Sequence, residues 1–487
     1  MNAAIPASGV KKEARPFGWR DNLGYFFGDF GCNMSFSLIS GYMFIFFTQF
    51  IGVKLEHYAL VILLTKIWDG INDPIIGALV DRFTPKQGDK FRPWILWGSF
   101  PLAIGSALLF LDTSNWAYWG KLTLLIVGYM IWDIAYTVVN VPYGSLNSVI
   151  TADPVGRSQL STSRSFGALV AGIPLGVAIP LLLYKTEVVD GVEKSIFQGQ
   201  KMFIIALVLG AIAFISFMIL YRLSVERIRH GEHDGEKFNY FKTLKGFFTS
   251  RPILGLVLAA LGQIIFIMSA MQLNQMTFQM YFGEGKLNSL SILAYLVPMI
   301  VGAPLIKPLV KKYGKQAIVS WPLLGSIVVY LIMWLLPIAN PYIWIGLLVL
   351  ASVFSFGSLL VGWAMVSDAI DYSEYETGRR EEGSIYATYS MIRKVGQGIG
   401  QALVPALIAL VIPGLIMTDA STWSVEYSTS IKNMSVIFPL IGTILMFIGF
   451  KFVYNLNQQK LAEVEAKLGR NAKAVDTSLE AMTLSED

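Results

Sequence analysis

Long apolar stretches recur along nearly the whole sequence, and they constrain the possible folds more than any other feature. A helix needs roughly 20 consecutive apolar residues to cross the hydrocarbon core of a bilayer. Only 15% of the 487 residues are charged, whereas soluble domains carry roughly 25%, so a water-facing surface cannot be built. The pattern predicts an all-α membrane protein with about twelve spans, at Asn22–Phe50, Tyr58–Val80, Pro93–Leu111, Leu122–Leu146, Phe166–Tyr184, Met202–Tyr221, Ile253–Phe282, Leu290–Leu309, Ala317–Pro337, Tyr342–Ser367, Gly383–Leu410 and Met434–Tyr454.

One long polar interruption, from Arg222 to Arg251, divides the predicted spans into six and six. Its charged segment ERIRHGEHDGEK is incompatible with a membrane span. We therefore expect a six-helix bundle at residues 1–221, a cytoplasmic linker at 222–251, a second six-helix bundle at 252–454 and a cytoplasmic tail at 455–487.

Similar features recur in the two halves. Three pairs share an offset of roughly 225 to 231 residues, which indicates an internal repeat: Gly77–Lys86 with Gly302–Lys315, Asn140–Ser148 with Ser367–Tyr375, and Arg164 with Lys394. Repeated halves of this kind are a signature of transporters. The repeat predicts two pseudo-symmetric bundles.

Lys and Arg are concentrated before the first span, between the second and third spans, and after the sixth. Loops rich in these residues stay in the cytoplasm, so both termini and the central loop are predicted to be cytoplasmic. The net charge of +5 then reflects topology: we expect the lipid bilayer as a partner and no nucleic acid. A single cysteine, Cys32, excludes an intrachain disulfide.

The sharpest polar group lies in the second predicted span, in the segment TKIWDGINDPIIG. A helix places Asp69, Asn72 and Asp73 on one face. Carboxylates this close repel unless a cation or proton lies between them, and hard cations such as sodium favour oxygen ligands. The segment predicts a coupling-cation site, with Asp69 and Asp73 as metal ligands if the ion is sodium. The alternative is that Lys66 pairs with Asp69 and that Asp73 caps a helix break before Pro74.

The first span also carries polar residues at helical spacing. Tyr25, Asp29 and Asn33 follow one another every four residues, so they share a face and could line a central cavity that holds substrate. Alternatively, Asp29 lies near the cytoplasmic mouth and pairs with a basic residue.

The fourth span ends in WDIAYTVVNVPYGSL. It places Asp133, Tyr136, Thr137 and Asn140 within two turns, before a proline that frees backbone carbonyls. Transporters often build sites at such broken helices. Tyr136 and Asn140 are therefore candidates for substrate binding.

Further candidates are scattered along the chain. Tyr143 and Trp363 could stack on a sugar face, although interfacial anchoring or packing is the commoner role of such residues. Arg164 and Lys394 begin apolar stretches and could bind substrate hydroxyls or a carboxylate, or instead balance Asp69, Asp73 or Asp368. Charged residues in Asp368–Gly383 are expected to form cytoplasmic gate pairs.

Catalytic signatures are missing from the sequence. It has no phosphate-binding G-x-x-x-x-G-K-[ST] segment, no H-E-x-x-H segment and no nucleophile triad. We therefore expect that the protein is not an enzyme and has no cofactor beyond a coupling cation. Its energy must come from a gradient or a partner.

The sequence resembles the glycoside-pentoside-hexuronide:cation symporters, a branch of the major facilitator superfamily. The resemblance runs from Gly24 to about Tyr454, and it is strongest in WDGINDPIIGALVDRFTPKQGDKFRPW, YTVVNVPYGSL and DAIDYSEYETGRREEGSIYATYSMIRKVGQGIG. It implies about twelve transmembrane helices in two six-helix bundles around a central cavity. It also implies a multi-pass protein of the cytoplasmic (inner) membrane.

The resemblance implies roles for individual residues. Melibiose-type carriers of the family hold the cation with residues that match Asp69, Asn72, Asp73 and Thr137. Their sugar-binding arginine and lysine match Arg164 and Lys394. Two of their sugar-binding aspartates match Asn33 and Asn140, and a tryptophan matches Gly144. These differences disfavour a galactoside, and NVPYGSL and EYETG instead resemble glucuronide and pentoside carriers.

The sequence as a whole predicts a secondary active symporter that moves a pentoside, hexuronide or small glycoside with Na⁺ or H⁺. Two alternatives stay open at this point. An exporter of drug-like or lipid-like solutes would tolerate loss of Arg164, and a non-transporting sugar sensor would bind ligand without counterflow.

Overall fold

The apolar stretches fold into long helices. The computed structural model describes residues 15–82, 89–151, 153–228, 250–378 and 382–468. Within these ranges the chain forms the helices α1 Trp19–Ile45, α2 Leu55–Arg82, α3 Arg92–Leu108, α4 Tyr118–Ile150, α5 Pro154–Ile173, α6 Met202–Leu223, α7 Arg251–Met276, α8 Asn288–Tyr313, α9 Lys315–Leu335, α10 Pro341–Thr377, α11 Glu382–Val411, α12 Val425–Ile448 and α13 Gln458–Lys467.

Ten of the described helical segments are long and apolar enough to cross a membrane. The other two long helices differ for physical reasons: α3 has 17 residues, and α2 carries Lys66, Asp69 and Asp73 in its middle. The predicted all-α membrane fold is confirmed. The short helix α13 follows the last span.

Four helices continue into π-helical turns. These turns are Phe46–Ile51 after α1, Pro174–Ala178 after α5, Thr277–Tyr281 after α7 and Gly449–Val453 after α12; the α5 rod then runs on as Ile179–Leu183. Such turns are rare and often lie at functional sites. By contrast, the helix break predicted at Pro142 was wrong, because α4 continues through it, and the alternative of a break before Pro74 is not observed in α2.

A β-hairpin lies between the α5 rod and α6, where the sequence predicted only a loop. Strand β1, Tyr184–Val189, pairs antiparallel with β2, Val192–Phe197. Asp190 and Gly191 form the two-residue turn, both with positive φ, of 53° and 78°. Two successive residues with positive φ are what a tight type I′ hairpin requires.

The chain divides into two compact units. The first comprises Met1–Glu236, Asn274–Ile292 and Gln401–Ile431, and the second comprises Lys237–Leu273, Leu293–Gly400 and Lys432–Asp487. The domain boundaries expected from the sequence stay a prediction.

Each unit contains the same close helix crossing. In the first unit, a Cβ on Gly31 of α1 would lie 3.2 Å from the carbonyl oxygen of Ala213 in α6. In the second, a Cβ on Gly262 of α7 would lie 2.5 Å from the carbonyl oxygen of Gly442 in α12. The residues correspond at an offset of about 230, as the internal repeat predicts.

Candidate functional site

Helices α2 and α4 face each other with polar residues at the middle of both. On α4, Tyr129, Asp133 and Thr137 recur every four residues and therefore share one face. The side chains are hidden from solvent: Asp69, Asn72, Asp133 and Thr137 are each at most 5% exposed. Buried polar groups of this kind must satisfy one another.

Lys66 anchors one end of this cluster. Its Nζ lies 2.8 Å from Oδ2 of Asp69 and 2.6 Å from Oη of Tyr129. The alternative pairing of Lys66 with Asp69 is thus present in the structure. Oδ1 of Asp69 is buried and has no hydrogen-bond partner among the described residues, so the carboxylate keeps one oxygen for a further ligand.

Asn72 and Thr137 connect the remaining acids. Nδ2 of Asn72 donates to Oδ2 of Asp133 at 3.1 Å and lies 3.4 Å from Oγ1 of Thr137. Oγ1 of Thr137 donates to Oδ1 of Asp73 at 3.0 Å. The structure therefore brings together the four residues that the sequence predicted for the cation.

Asp133 is a member of this cluster that the sequence analysis did not assign to the cation. It interacts electrostatically with both Asp69 and Lys66. One sequence feature could have identified Asp133 as part of the cluster: it lies one helical turn before Thr137. Within the described ranges, no three His, Cys, Asp or Glu side chains form a metal site by themselves. A cation bound here would need amide and hydroxyl oxygens as well.

A second polar cluster joins α1 to α5. Nε of Arg164 donates to Oδ1 of Asp29 at 3.0 Å, and Nδ2 of Asn33 donates to Oδ2 of the same carboxylate at 2.9 Å. The alternative of a basic partner for Asp29 is therefore observed. The side chain of Arg164 is 45% exposed, so much of its guanidinium is left uncovered by the protein.

Two tyrosines support this ion pair from one side. The rings of Tyr25 and Tyr143 stack at 4.7 Å, and the Arg164 guanidinium lies 5.4 Å from the Tyr143 ring centroid. Oη of Tyr143 donates to the Tyr25 carbonyl at 2.8 Å. This packing requires Gly28, since a Cβ there would lie 2.3 Å from the Tyr143 ring. Both tyrosines are fully buried in this structure.

Aromatic residues of α4 link the two clusters. Tyr136 stacks on Trp132 at 5.4 Å and lies 5.6 Å from Phe36 of α1. The indole of Trp132 donates to Oγ of Ser35 at 2.8 Å. Asn140 is half-buried one turn beyond Tyr136. Helix α4 therefore contacts both the cation candidates and the helix that carries Asp29.

The remaining candidates lie in the second unit. Lys394 is exposed on α11, and the adjacent Arg393 donates to Gln263 of α7 at 2.6 Å. Trp363 belongs to α10, but its side chain lies outside the described residues. Lys315 pairs with Asp368 at 2.6 Å. The cytoplasmic gate pairs expected in Asp368–Gly383 stay a prediction, and residues 379–381 lie outside the described ranges.

One sequence expectation about Arg164 is corrected. Arg164 was considered a partner for Asp69, Asp73 or Asp368, whereas it pairs with Asp29. The apolar stretches near Arg164 and Lys394 start at Gln159 and Ile392, as expected. The helices themselves begin earlier, α5 at Pro154 and α11 at Glu382, so both cations project from helix interiors.

Comparison with known proteins identifies the family of the chain. Residues 24–458 match the family described as MFS/sugar transport protein. The chain belongs to this family. Its similarity to the glycoside-pentoside-hexuronide:cation symporters is thereby confirmed, and this family member is a multi-pass membrane transporter of sugars and not an enzyme.

Several relatives of this sugar transporter align along nearly their whole length. An uncharacterized symporter, YjmB, of Bacillus subtilis (strain 168) is 32% identical over 91% of this chain and 94% of its own. An isoprimeverose transporter of Lactiplantibacillus pentosus is 30% identical over 97% of each chain. A glucuronide carrier protein homolog of Escherichia coli (strain K12) is 28% identical over 93% of this chain and 96% of its own.

Solved structures share the fold of the transporter. A D-xylose-proton symporter has a TM-score of 0.59 at 15% identity, covering 89% of this chain and 97% of its own. The nucleoside transporter NupG has a TM-score of 0.56 at 12% identity, covering 89% of this chain and 99% of its own. These similarities establish the major facilitator fold.

Proposed function

We propose that this transporter is a symporter that moves a pentoside, hexuronide or small glycoside across the cytoplasmic membrane together with Na⁺ or H⁺. The observation that carries the proposal is the hydrogen-bonded set of Asn72, Asp73, Asp133 and Thr137, with Asp69 interacting with Asp133. Ionisable groups inside a membrane protein are functional candidates by default, because burying them is expensive. Both termini are placed in the cytoplasm under the same proposal.

The charge of the cluster favours a bound cation. Asp69, Asp73 and Asp133 can supply three negative charges, and Lys66 neutralises one of them at Asp69. Carboxylates gathered in a low-dielectric interior repel one another. A monovalent cation among these oxygens would reduce the repulsion, and carboxylate, amide and hydroxyl oxygens suit a hard ion.

The cluster on α1 and α5 suits a polar solute. Arg164 is held by Asp29 and is nevertheless exposed, and a guanidinium presents a planar set of donors that matches hydroxyl and carboxylate oxygens. Relatives are named as a glucuronide carrier homolog, an isoprimeverose transporter and a putative sulfoquinovose importer. In the first unit we assign sugar binding to Asp29, Asn33, Tyr136, Asn140 and Arg164, with Tyr25 packed beneath them. In the second unit, Trp363 and Lys394 are the proposed sugar-binding residues.

Helix α4 can couple the two ligands. It carries Thr137 of the cation cluster and Tyr136, which packs on the helix of Asp29. If cation binding raises sugar affinity, sugar must raise cation affinity by the same factor. Symport follows if only the empty carrier and the doubly loaded carrier change conformation.

The decisive experiment is uptake into vesicles. Labelled xylosides, glucuronides and galactosides are offered with sodium and pH gradients imposed separately, to the wild type, to Asp73→Asn and to Asp190→Asn. The last variant removes an exposed carboxylate from the hairpin turn and serves as the matched control. We expect one sugar class to accumulate, one gradient to drive it, and only Asp73→Asn to abolish accumulation.

Other outcomes select the alternatives. Gradient-driven uptake that survives Asp73→Asn would remove the cation site from the proposal. Efflux of apolar solutes that persists without Arg164 would indicate an exporter. Binding of sugar without any counterflow would indicate a sensor.

A further inference from the structure

A groove on the surface of the second unit has an apolar wall with positively charged side chains beside it. It has a volume of about 300 Å³ and lies between α8, α9 and α10, where Tyr313, Ala317, Trp321 and Phe354 are among its lining residues. Tyr313 and Trp321 are more than half exposed. The three helices contain segments long and apolar enough to cross a membrane, and an exposed, largely apolar groove on such helices suits contact with lipid.

The groove lies at one end of the spans. Helix α8 ends at Tyr313, Gly314 turns with a φ of 81°, and α9 begins at Lys315. Aromatic residues at the ends of spans typically lie at the level of the lipid headgroups. The groove therefore runs from the headgroup level into the hydrocarbon region.

Two ammonium groups flank its aromatic residues. Nζ of Lys312 lies 5.0 Å from the Tyr313 ring centroid. Nζ of Lys451 lies 4.2 Å from the Trp321 ring centroid. Lys451 belongs to the π-helical turn after α12, so the two cations approach from different elements. A lysine over a ring face is held by the ring quadrupole.

We propose that this groove is a binding site for an anionic phospholipid. An acyl chain packs along Ala317, Trp321 and Phe354, and the phosphodiester accepts hydrogen bonds from Lys312 and Lys451. Lysine binds phosphate as a point charge, and basic pockets between transmembrane helices bind anionic headgroups. A zwitterionic lipid offers the same acyl chain without net negative charge. The two lysines should therefore favour an anionic lipid over a zwitterionic one.

The test measures lipid-dependent stability of the purified full-length protein. The thermal unfolding midpoint is followed in detergent while phosphatidylglycerol, phosphatidylcholine or inorganic phosphate is added, since a ligand of the folded state raises the midpoint. We expect only phosphatidylglycerol to raise it. In Lys312→Gln/Lys451→Gln the concentration for half of this effect should rise about tenfold or more, because each lysine contributes to headgroup attraction.

Two further variants distinguish lipid binding in the groove from nonspecific attraction of anionic lipids to surface lysines. Lys54→Gln/Lys185→Gln removes two exposed lysines of the first unit and should behave as the wild type. Ala317→Leu fills the groove and leaves every charge in place, and it should weaken the phosphatidylglycerol effect to a similar degree. A loss in the lysine variant with a normal response in Ala317→Leu would overturn the site, as would an equal response to phosphatidylcholine or to inorganic phosphate.

Discussion

Gln49 and Gln279 exchange two hydrogen bonds. Nε2 of Gln49 donates to Oε1 of Gln279 at 2.9 Å, and Nε2 of Gln279 donates to Oε1 of Gln49 at 2.8 Å. Both side chains are buried. The residues are equivalent in the internal repeat, since each lies in the π-helical turn after the first helix of its sequence half. Within the first unit, the pair thus connects the ends of α1 and α7.

Replacing one glutamine should destabilise this connection. Gln49→Leu leaves the amide of Gln279 buried without a partner, and an unsatisfied buried group costs about 1–3 kcal/mol. We expect a lower thermal unfolding midpoint for each single variant. Gln49→Leu/Gln279→Leu should recover part of the loss, because no buried amide is left. A double variant as unstable as the sum of the two single variants would show that the pair is not coupled.

Asp133→Asn should weaken cation binding. It replaces a carboxylate by a neutral group of the same shape, which can still bond to Asn72, and so separates charge from packing. We expect the cation concentration for half-maximal sugar uptake to rise about tenfold, which corresponds to about 1.4 kcal/mol. Asp112→Asn changes a loop acid that bonds locally to Ser114 and serves as the control. An unchanged cation requirement in Asp133→Asn would limit that residue to packing.

Arg164→Lys should weaken sugar binding while the charge is retained. Lysine lacks the planar fork of donors that arginine presents. The sugar concentration for half-maximal uptake should rise about tenfold or more, if roughly 1.4 kcal/mol of directional hydrogen bonding is lost. Cation binding measured without sugar should stay as in the wild type, because Arg164 contacts Asp29 and not the α2 carboxylates. Equal damage to both ligands would point to a general structural defect.

Glu226, which lies outside the membrane spans, should make the stability of the protein depend on pH. It follows α6 and accepts hydrogen bonds from the backbone N–H groups of Lys90, Phe91 and Arg92 at the start of α3. Burial nevertheless raises the pKa of its carboxyl above the usual value of 4.5. The folded protein then holds this proton more tightly than the unfolded chain, so its contribution to stability falls as pH rises from 4.5 through the raised pKa.

Glu226→Gln removes this titration and should flatten the profile of unfolding midpoint against pH in that window. Glu187→Gln, which changes an exposed hairpin residue, should leave the profile as in the wild type. Parallel profiles for Glu226→Gln and the wild type would assign the pH dependence to other groups.

The sequence predicted the parts of the site that depend on spacing along one helix. Asp69, Asn72 and Asp73 share a face because 3.6 residues make a turn, and the structure places them together with Thr137. The same argument put Tyr25, Asp29 and Asn33 on one face. The sequence argument failed at Pro142, which it treated as a helix breaker, since α4 runs through this residue.

The sequence by itself determined the membrane architecture, the internal repeat and the candidate cation residues of α2. These follow from hydropathy and periodicity, which are local properties of the chain. Only the tertiary structure decided that Asp133 joins the cation cluster, that Arg164 pairs with Asp29 and that Gln49 meets Gln279. Each pair is separated by at least 61 residues, and its distance depends on how packed helices are rotated and shifted against each other, which no local pattern encodes.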